Sequence, residues 1–203
     1  LEFAWGTITH LLWVMNSEEW RKAHEMLQPE VVAFSLRVSQ SKPLYQGMVA
    51  LRDGDEWKSL SEPRQRIVES AIRSARLSGV GLEDGPRSEF NEIQRELAQL
   101  STRFMNNVLD ATKAFALELN KPEEVDGLPP SLLNAAAASA RSAGKENATA
   151  EKGPWRITLE GPLFGPFMKY SKRRDLREML YRHFVTRATE GERDNRPLIG
   201  RIL

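Results

Sequence analysis

Apolar residues recur along most of this chain with the period of an α-helix. The clearest run is Phe90, Ile93, Leu97, Leu100, Phe104 and Val108, at steps of 3, 4, 3, 4 and 4, the spacing that lines one side of a helix. Gly85-Pro86 supplies a start signal, so the pattern predicts one long amphipathic helix over about 86–112. The seam is too short for a sustained coiled coil, and Asn106 and Asn107 blur its end. It reads as packing against another helix of the same chain.

Upstream, helix punctuation dominates. Ser17 followed by Glu18 and Glu19, Pro29 before Glu30, Pro43 after Lys42, and Ser61-Glu62-Pro63 are N-terminal signals that predict roughly four or five short helices. Between Pro63 and Gly79, the positions Ile67, Val68, Ala71, Ile72 and Ala75 form an apolar stripe with arginines elsewhere. Gly79 and Gly81 mark its exit.

Downstream of Thr112 the period changes. Ala114 to Leu119 and the alternating Trp155-Arg156-Ile157-Thr158-Leu159-Glu160, set between Gly153-Pro154 and Gly161-Pro162, read as two strands over about 114–119 and 155–160. Gly127-Leu128-Pro129-Pro130 opens an alanine-rich helix from Ser131 to about Ala143, and residues 144–153 are polar and loop-like. Helix returns from about Lys172 to Ala188, with Leu176, Leu180 and Phe184 on one face, and again near Asn195-Arg196-Pro197. The fold class is mainly α. A helical array occupies 1–112, a hairpin-like β element with a helical insert 113–161, and further helices 162–203.

Composition changes this picture little. With 203 residues, 40% of them hydrophobic, the chain is long enough to bury a real core. Its 29 basic and 28 acidic residues leave a formal charge of +1, so no global field favours nucleic acid or an anionic membrane as a partner. Apolar stretches such as Leu11 to Met15 are far short of the roughly 20 residues that span a bilayer, which predicts a soluble protein. The opening at Leu1 rather than Met predicts a trimmed start, and the apolar ending Ile199-Gly200-Arg201-Ile202-Leu203 an interrupted last helix.

Candidate chemistry is sparse. Zero cysteines remove disulfides, thiolate nucleophiles and Cys-ligated zinc together. A peptidase zinc site needs two histidines one helical turn apart with a glutamate as base. His10, His24 and His183 are the only histidines, and none has a second three or four positions away. Each reads as a hydrogen-bonded, partly buried helix residue. No G-x-S-x-G elbow is present, and Gly79-Val80-Gly81-Leu82 lacks the Lys and Ser/Thr of a phosphate loop, leaving a helix-ending turn. The pairs Glu18/Glu19 and Glu123/Glu124 fall at helix starts, where the dipole favours them. Lys169, Lys172, Arg173, Arg174 and Arg177, bracketed by Tyr170 and Tyr181, form the densest positive run, but Asp175 and Glu178 interleave it. It reads as a solvated helix face rather than a nucleic-acid surface. No catalytic, cofactor-binding or metal-ligating residue is assigned.

Several strings, taken in order, nevertheless resemble a known family. These are Trp5-Gly6-Thr7-Ile8-Thr9-His10-Leu11 with Asn16-Ser17 and Arg21; Gln28-Pro29-Glu30; and Ser39-Gln40-Ser41-Lys42-Pro43-Leu44-Tyr45. Phe90-Asn91-Glu92-Ile93-Gln94, Leu100-Ser101-Thr102-Arg103-Phe104 and Asn107-Val108-Leu109-Asp110-Ala111-Thr112-Lys113 follow. Gly127-Leu128-Pro129-Pro130-Ser131, Gly153-Pro154-Trp155-Arg156-Ile157-Thr158-Leu159 and Arg174-Asp175-Leu176-Arg177-Glu178 complete the series. The succession resembles the N-terminal region of oligopeptidase A and thimet oligopeptidase-type zinc metallopeptidases, in phrasing closest to plant and cyanobacterial members. His183 and Gly200 depart slightly from the family's pattern.

The resemblance implies a largely helical, clam-shaped endopeptidase whose deep channel admits short unfolded peptides, cleaved targeting peptides among them. This chain would supply part of one channel wall. The zinc, its ligands and the general base would lie in a C-terminal catalytic lobe outside these residues, so the chain alone is expected to be inactive and to hold no cofactor. Its partners would be short peptides and that lobe. Its setting would be the chloroplast, mitochondrion or cytosol of a plant-type cell, or a cyanobacterial cytoplasm. The alternative is a non-catalytic truncated paralogue that acts as a peptide-binding or interaction module.

Overall fold

A computed structural model describes all residues from Leu1 to Leu203. Nine α-helices and two short strands follow one another along the chain. The helices divide into two compact units, Leu1–Ser101 and Thr102–Leu203.

The first unit begins with α1 (Glu2–Met15) and α2 (Glu18–Ser39), which pack on each other. The Ser17 hydroxyl accepts the Trp20 amide at 3.3 Å and caps α2, as the Ser-Glu-Glu string predicts. Pro29 does not start a helix. It lies inside α2, which runs unbroken for 22 residues. A mid-helix proline removes one amide donor and crowds the carbonyl four residues back. Burial of His24 before it and Leu36 after it on the same helix offsets that cost.

Next come α3 (Lys42–Asp53) and α4 (Glu62–Leu77), packed as a pair, with a short 3-10 turn over Asp55–Ser59 between them. Ile72 is buried and Val68, Ala71 and Ala75 are half-buried, but Ile67 is 68% exposed, so the stripe is narrower than its sequence spacing implies. Gly79 sits at φ +85° just past α4, the left-handed exit that glycine permits. A second fastening joins three elements. The Gln40 side-chain amide donates to the Ser78 carbonyl at 2.9 Å and to Asn91 Oδ1 at 2.7 Å.

The long helix α5 (Asp84–Ala114) has 31 residues and starts two positions before the expected boundary, with Gly85-Pro86 inside its first turn. Its early residues belong to the first unit and its later ones to the second. No apolar residue of the predicted seam is fully buried. Phe90, Leu97, Leu100, Phe104 and Val108 are half-covered and Ile93 is 47% exposed.

The second unit holds the denser core. Strand β1 (Ala116–Leu119) pairs antiparallel with β2 (Trp155–Thr158), placing Leu117 opposite Ile157 and Leu119 opposite Trp155. The segment between them contains α6 (Pro130–Ser142), whose Leu132, Ala136, Ala137 and Ala140 recur on one face and are all buried. Small side chains let this helix approach β2 closely, and the two pack directly. β2 stops at Thr158 rather than 160 because Glu160 begins a helix. Its carbonyl accepts the amides of Leu163 at 3.0 Å and Phe164 at 2.8 Å.

That helix, α7 (Gly161–Tyr170), is separate from α8 (Arg174–Val185), where the sequence pattern implies a helix starting only near Lys172. Buried Ser171 adopts extended φ/ψ between them and accepts the Arg173 amide at 3.2 Å. Leu163 and Phe167 from α7 and Leu176 and Leu180 from α8 close the core over Trp155 and Ile157. Phe184 stacks on Phe164 with centroids 4.0 Å apart. Helix α9 (Arg196–Ile202) ends the unit. Asn195, just before it, donates to the Phe104 carbonyl at 3.0 Å and accepts from Asn107 Nδ2 at 2.9 Å.

Candidate functional site

Each candidate from the sequence finds a place in this framework, and none joins another in a reactive cluster. His24 is buried at 4% exposure against Trp5, their rings stacked with centroids 4.6 Å apart and 23° between planes. It departs from the hydrogen-bonded reading, since its Nδ1 has no partner. The indole covers a face of the imidazole, which leaves the in-plane Nδ1 buried and unpaired. Burial pushes the imidazole below its ordinary value, with the neighbouring Glu25 opposing the shift. His183 is exposed and tilts against Phe115 at 4.1 Å, and His10 is exposed on α1.

The acidic pairs act at helix starts. Glu19 is held below the usual carboxylate range by backbone and Ser17 hydrogen bonds, while Glu18 pairs with Lys22 at 2.7 Å. Glu124 Oε2 accepts the amides of Asn120 at 2.8 Å and Lys121 at 2.9 Å, which lowers its pKa. The positive run is divided among local partners. Lys172 pairs with Asp126 at 3.2 Å, Arg173 with Asp175 at 2.6 Å, Arg177 donates to the Ser171 carbonyl, and Lys169 lies 5.0 Å from the Tyr170 ring centroid. Gly79 to Leu82 closes the end of α4 through the Gly79 and Val80 amides, which donate to Arg76 and Ala75 carbonyls at 3.0 and 3.1 Å.

Nowhere do three or more His, Asp or Glu side chains come together in a group fit to hold a metal ion. The residues present therefore do not fit a zinc site. No helix is long and apolar enough to cross a membrane.

What the fold does build in its first unit is an apolar groove of about 940 Å³. Trp5 of α1, Val31, Phe34 and Leu36 of α2, and Leu97 and Ala98 of α5 line it, together with four serines and Gln94. Gln28 spans from α2 to the Ala98 carbonyl at 3.3 Å and holds the α2 and α5 walls at a set spacing. Leu97 belongs to the long apolar seam. The groove leaves Leu97 only half-covered, since one of its sides faces open space rather than a helix. Glu2 is the one charged side chain on the lining, so the surface suits apolar or neutral polar groups more than ions. No sequence motif announced this groove, because its walls come from segments far apart in the chain.

Comparison with known proteins gives these features a setting. Residues 1–87 match the family model described as the N-terminal domain of neurolysin/thimet oligopeptidase. Over all 203 residues the chain is 49% identical to a probable cytosolic oligopeptidase A of Arabidopsis thaliana, covering 29% of that protein. It is also 49% identical over 203 residues to an organellar oligopeptidase A, chloroplastic/mitochondrial, of the same plant, covering 26% of it. An oligopeptidase A of Haemophilus influenzae is 36% identical over 208 aligned positions, with 100% of this chain and 30% of that protein covered. The chain thus spans less than a third of the length of these curated relatives.

Proposed function

From the premise that this chain is an oligopeptidase A homologue along its whole length, we propose that it forms the non-catalytic N-terminal portion of a zinc metalloendopeptidase acting on short unstructured peptides. In this reading the helical units form part of a channel wall that restricts access by size, and cleaved targeting peptides are among the substrates. Zinc, its ligands and the general base belong to a further catalytic lobe, which is this chain's partner. The observation that carries the reading is similarity to oligopeptidase A proteins along all 203 residues of this chain, whose own residues offer no metal-binding group. The compartment follows the plant relatives, cytosolic or organellar.

The test is to express the gene product with whatever coding sequence continues past residue 203. Chelator-sensitive cleavage of quenched fluorogenic peptides is expected from that product and none from residues 1–203 alone. Cleavage by residues 1–203 alone, or an extended product that cuts no peptide, overturns the reading.

The apolar groove favours a second reading, a peptide-binding module that holds substrates without cutting. Calorimetry of the 203-residue chain with unstructured peptides of about ten residues, a length that could lie along a groove of this size, separates the two. Saturable heat that is lost in Leu97→Asp supports the module. Absence of heat removes it.

A further inference from the structure

Apart from the apolar groove, the first unit contains a smaller cleft of about 440 Å³ lined by Lys42, Tyr45, Gln46, Arg76, Val80 and Gly81. Its polar lining is strongly biased toward donors, and no carboxylate is among the six residues. The Arg76 Nε donates to the Tyr45 hydroxyl at 2.9 Å, and the guanidinium carbon lies 5.8 Å from the same ring's centroid. These two contacts fix Arg76 while leaving its terminal Nη groups without a bonded partner. The Tyr45 hydroxyl, having accepted from Arg76, keeps its own proton to donate. Lys42 enters no ion pair, and the Gly81 amide enters no backbone hydrogen bond. Asp53, which feels the charge of Arg76, is committed to Arg52 through bonds of 2.7 and 2.9 Å.

A guanidinium fork, an ammonium, a hydroxyl donor and a free amide around one concavity, with no anion among them, are the groups that recognise oxyanions. The geometry points to this cleft as a binding site for a small doubly charged oxyanion, a dicarboxylate or a phosphate, with Arg76 and Lys42 supplying the charge and Tyr45 and Gly81 orienting it. The site lies outside the peptide groove and does not depend on the peptidase reading. Arg76, held by Tyr45, and Lys42, which no carboxylate neutralises, give the cleft two positive charges that match a dianion. Its volume, near the lower end of ligand pockets at about 300–1,000 Å³, sets a size limit that excludes long chains.

The experiment is a titration of the isotope-labelled 203-residue chain with sodium phosphate and, separately, sodium glutarate, read by chemical shifts of the Gly81 amide and Arg76 Nε–H. Sodium chloride at equal ionic strength is the control. Saturable shifts confined to this cleft are expected for at least one dianion, with a Kd of about 1 mM or tighter. The tighter of the two anions identifies the ligand class. Arg76→Gln abolishes the response, Lys42→Gln weakens it about tenfold, and Arg73→Gln, on the exposed side of α4, leaves it unchanged. Should Arg76→Gln disturb the fold, Lys42→Gln, an exposed position, carries the test alone. Shifts that do not saturate, that chloride reproduces, or that persist in both variants overturn the proposal.

Discussion

Trp5 and His24 stack at 4.6 Å in the first unit, and the imidazole is left with a buried Nδ1 that no group accepts from or donates to. The contact holds α1 on α2 and makes their packing depend on a neutral histidine. His24 titrates below its ordinary value of 6.5 because burial disfavours the charged ring. The unfolded chain therefore binds this proton more readily than the folded one, and folding stability rises with pH across the window between the lowered folded value and 6.5.

Melting temperature measured from pH 7 downward should fall as pH passes below 6.5. His24→Phe keeps a ring against Trp5 and cannot charge, so its melting temperature should fall less steeply over the same window. Parallel curves for the two proteins would show that His24 does not set the acid sensitivity.

Pro29 breaks the α2 ladder without ending the helix. Pro29→Ala restores a donor and removes the clash, and should stabilise the chain by about 1–2 kcal/mol after allowing for the more flexible unfolded state. Urea denaturation checks it. If Pro29 instead began a helix, the substitution would be neutral or destabilising.

The Gln40 amide satisfies the Ser78 carbonyl and Asn91 Oδ1 from a position only 9% exposed. Gln40→Met keeps the volume and deletes both bonds, leaving two acceptors short. The expected cost is about 1–3 kcal/mol in urea unfolding. A change under about 0.5 kcal/mol would mean that solvent reaches these groups.

Asn195 bonds both the Phe104 carbonyl and the Asn107 amide. Asn195→Ala and Asn107→Ala should therefore be non-additive, with a coupling energy of about 0.5–3 kcal/mol in a double-mutant cycle. Strict additivity would show that the pair contributes separately.

Ala136 has 0% exposure on the face of α6 that meets β2, whereas Ala135 is exposed. Ala136→Leu should cost about 1–3 kcal/mol by forcing α6 off the strand, and Ala135→Leu should stay within about 0.5 kcal/mol. Equal effects at both sites would mean that α6 does not approach β2 this closely.

The parts of the fold legible in the sequence are those governed by local rules. Ser17 caps α2 through its own hydroxyl, Leu176 and Leu180 are buried where their spacing puts them, and the alternating Trp155 to Thr158 forms a strand. Such signals act within one or two turns, so they can be read without knowing what the rest of the chain packs against. Local rules failed where tertiary packing opposed them. Pro29 carried a start signal that tertiary packing of His24 and Leu36 overrode, and Lys172 appeared helical although buried Ser171 holds the chain extended there.

By itself, the sequence determined the helix-rich class, the β1 and β2 segments, the absence of paired histidines and cysteines, and the ordered strings that resemble oligopeptidase A, because all of these are properties of residue identity and short spacing. Only the tertiary structure decided that the α5 seam is half-covered beside a groove, that Trp5 stacks on a His24 whose buried Nδ1 has no partner, and that Tyr45 fixes Arg76 at the edge of a cleft without acids. The last pair is separated by 31 positions in the chain. Contacts at that distance leave no periodic trace; packing alone brings such residues together, and with them the chemistry they can share.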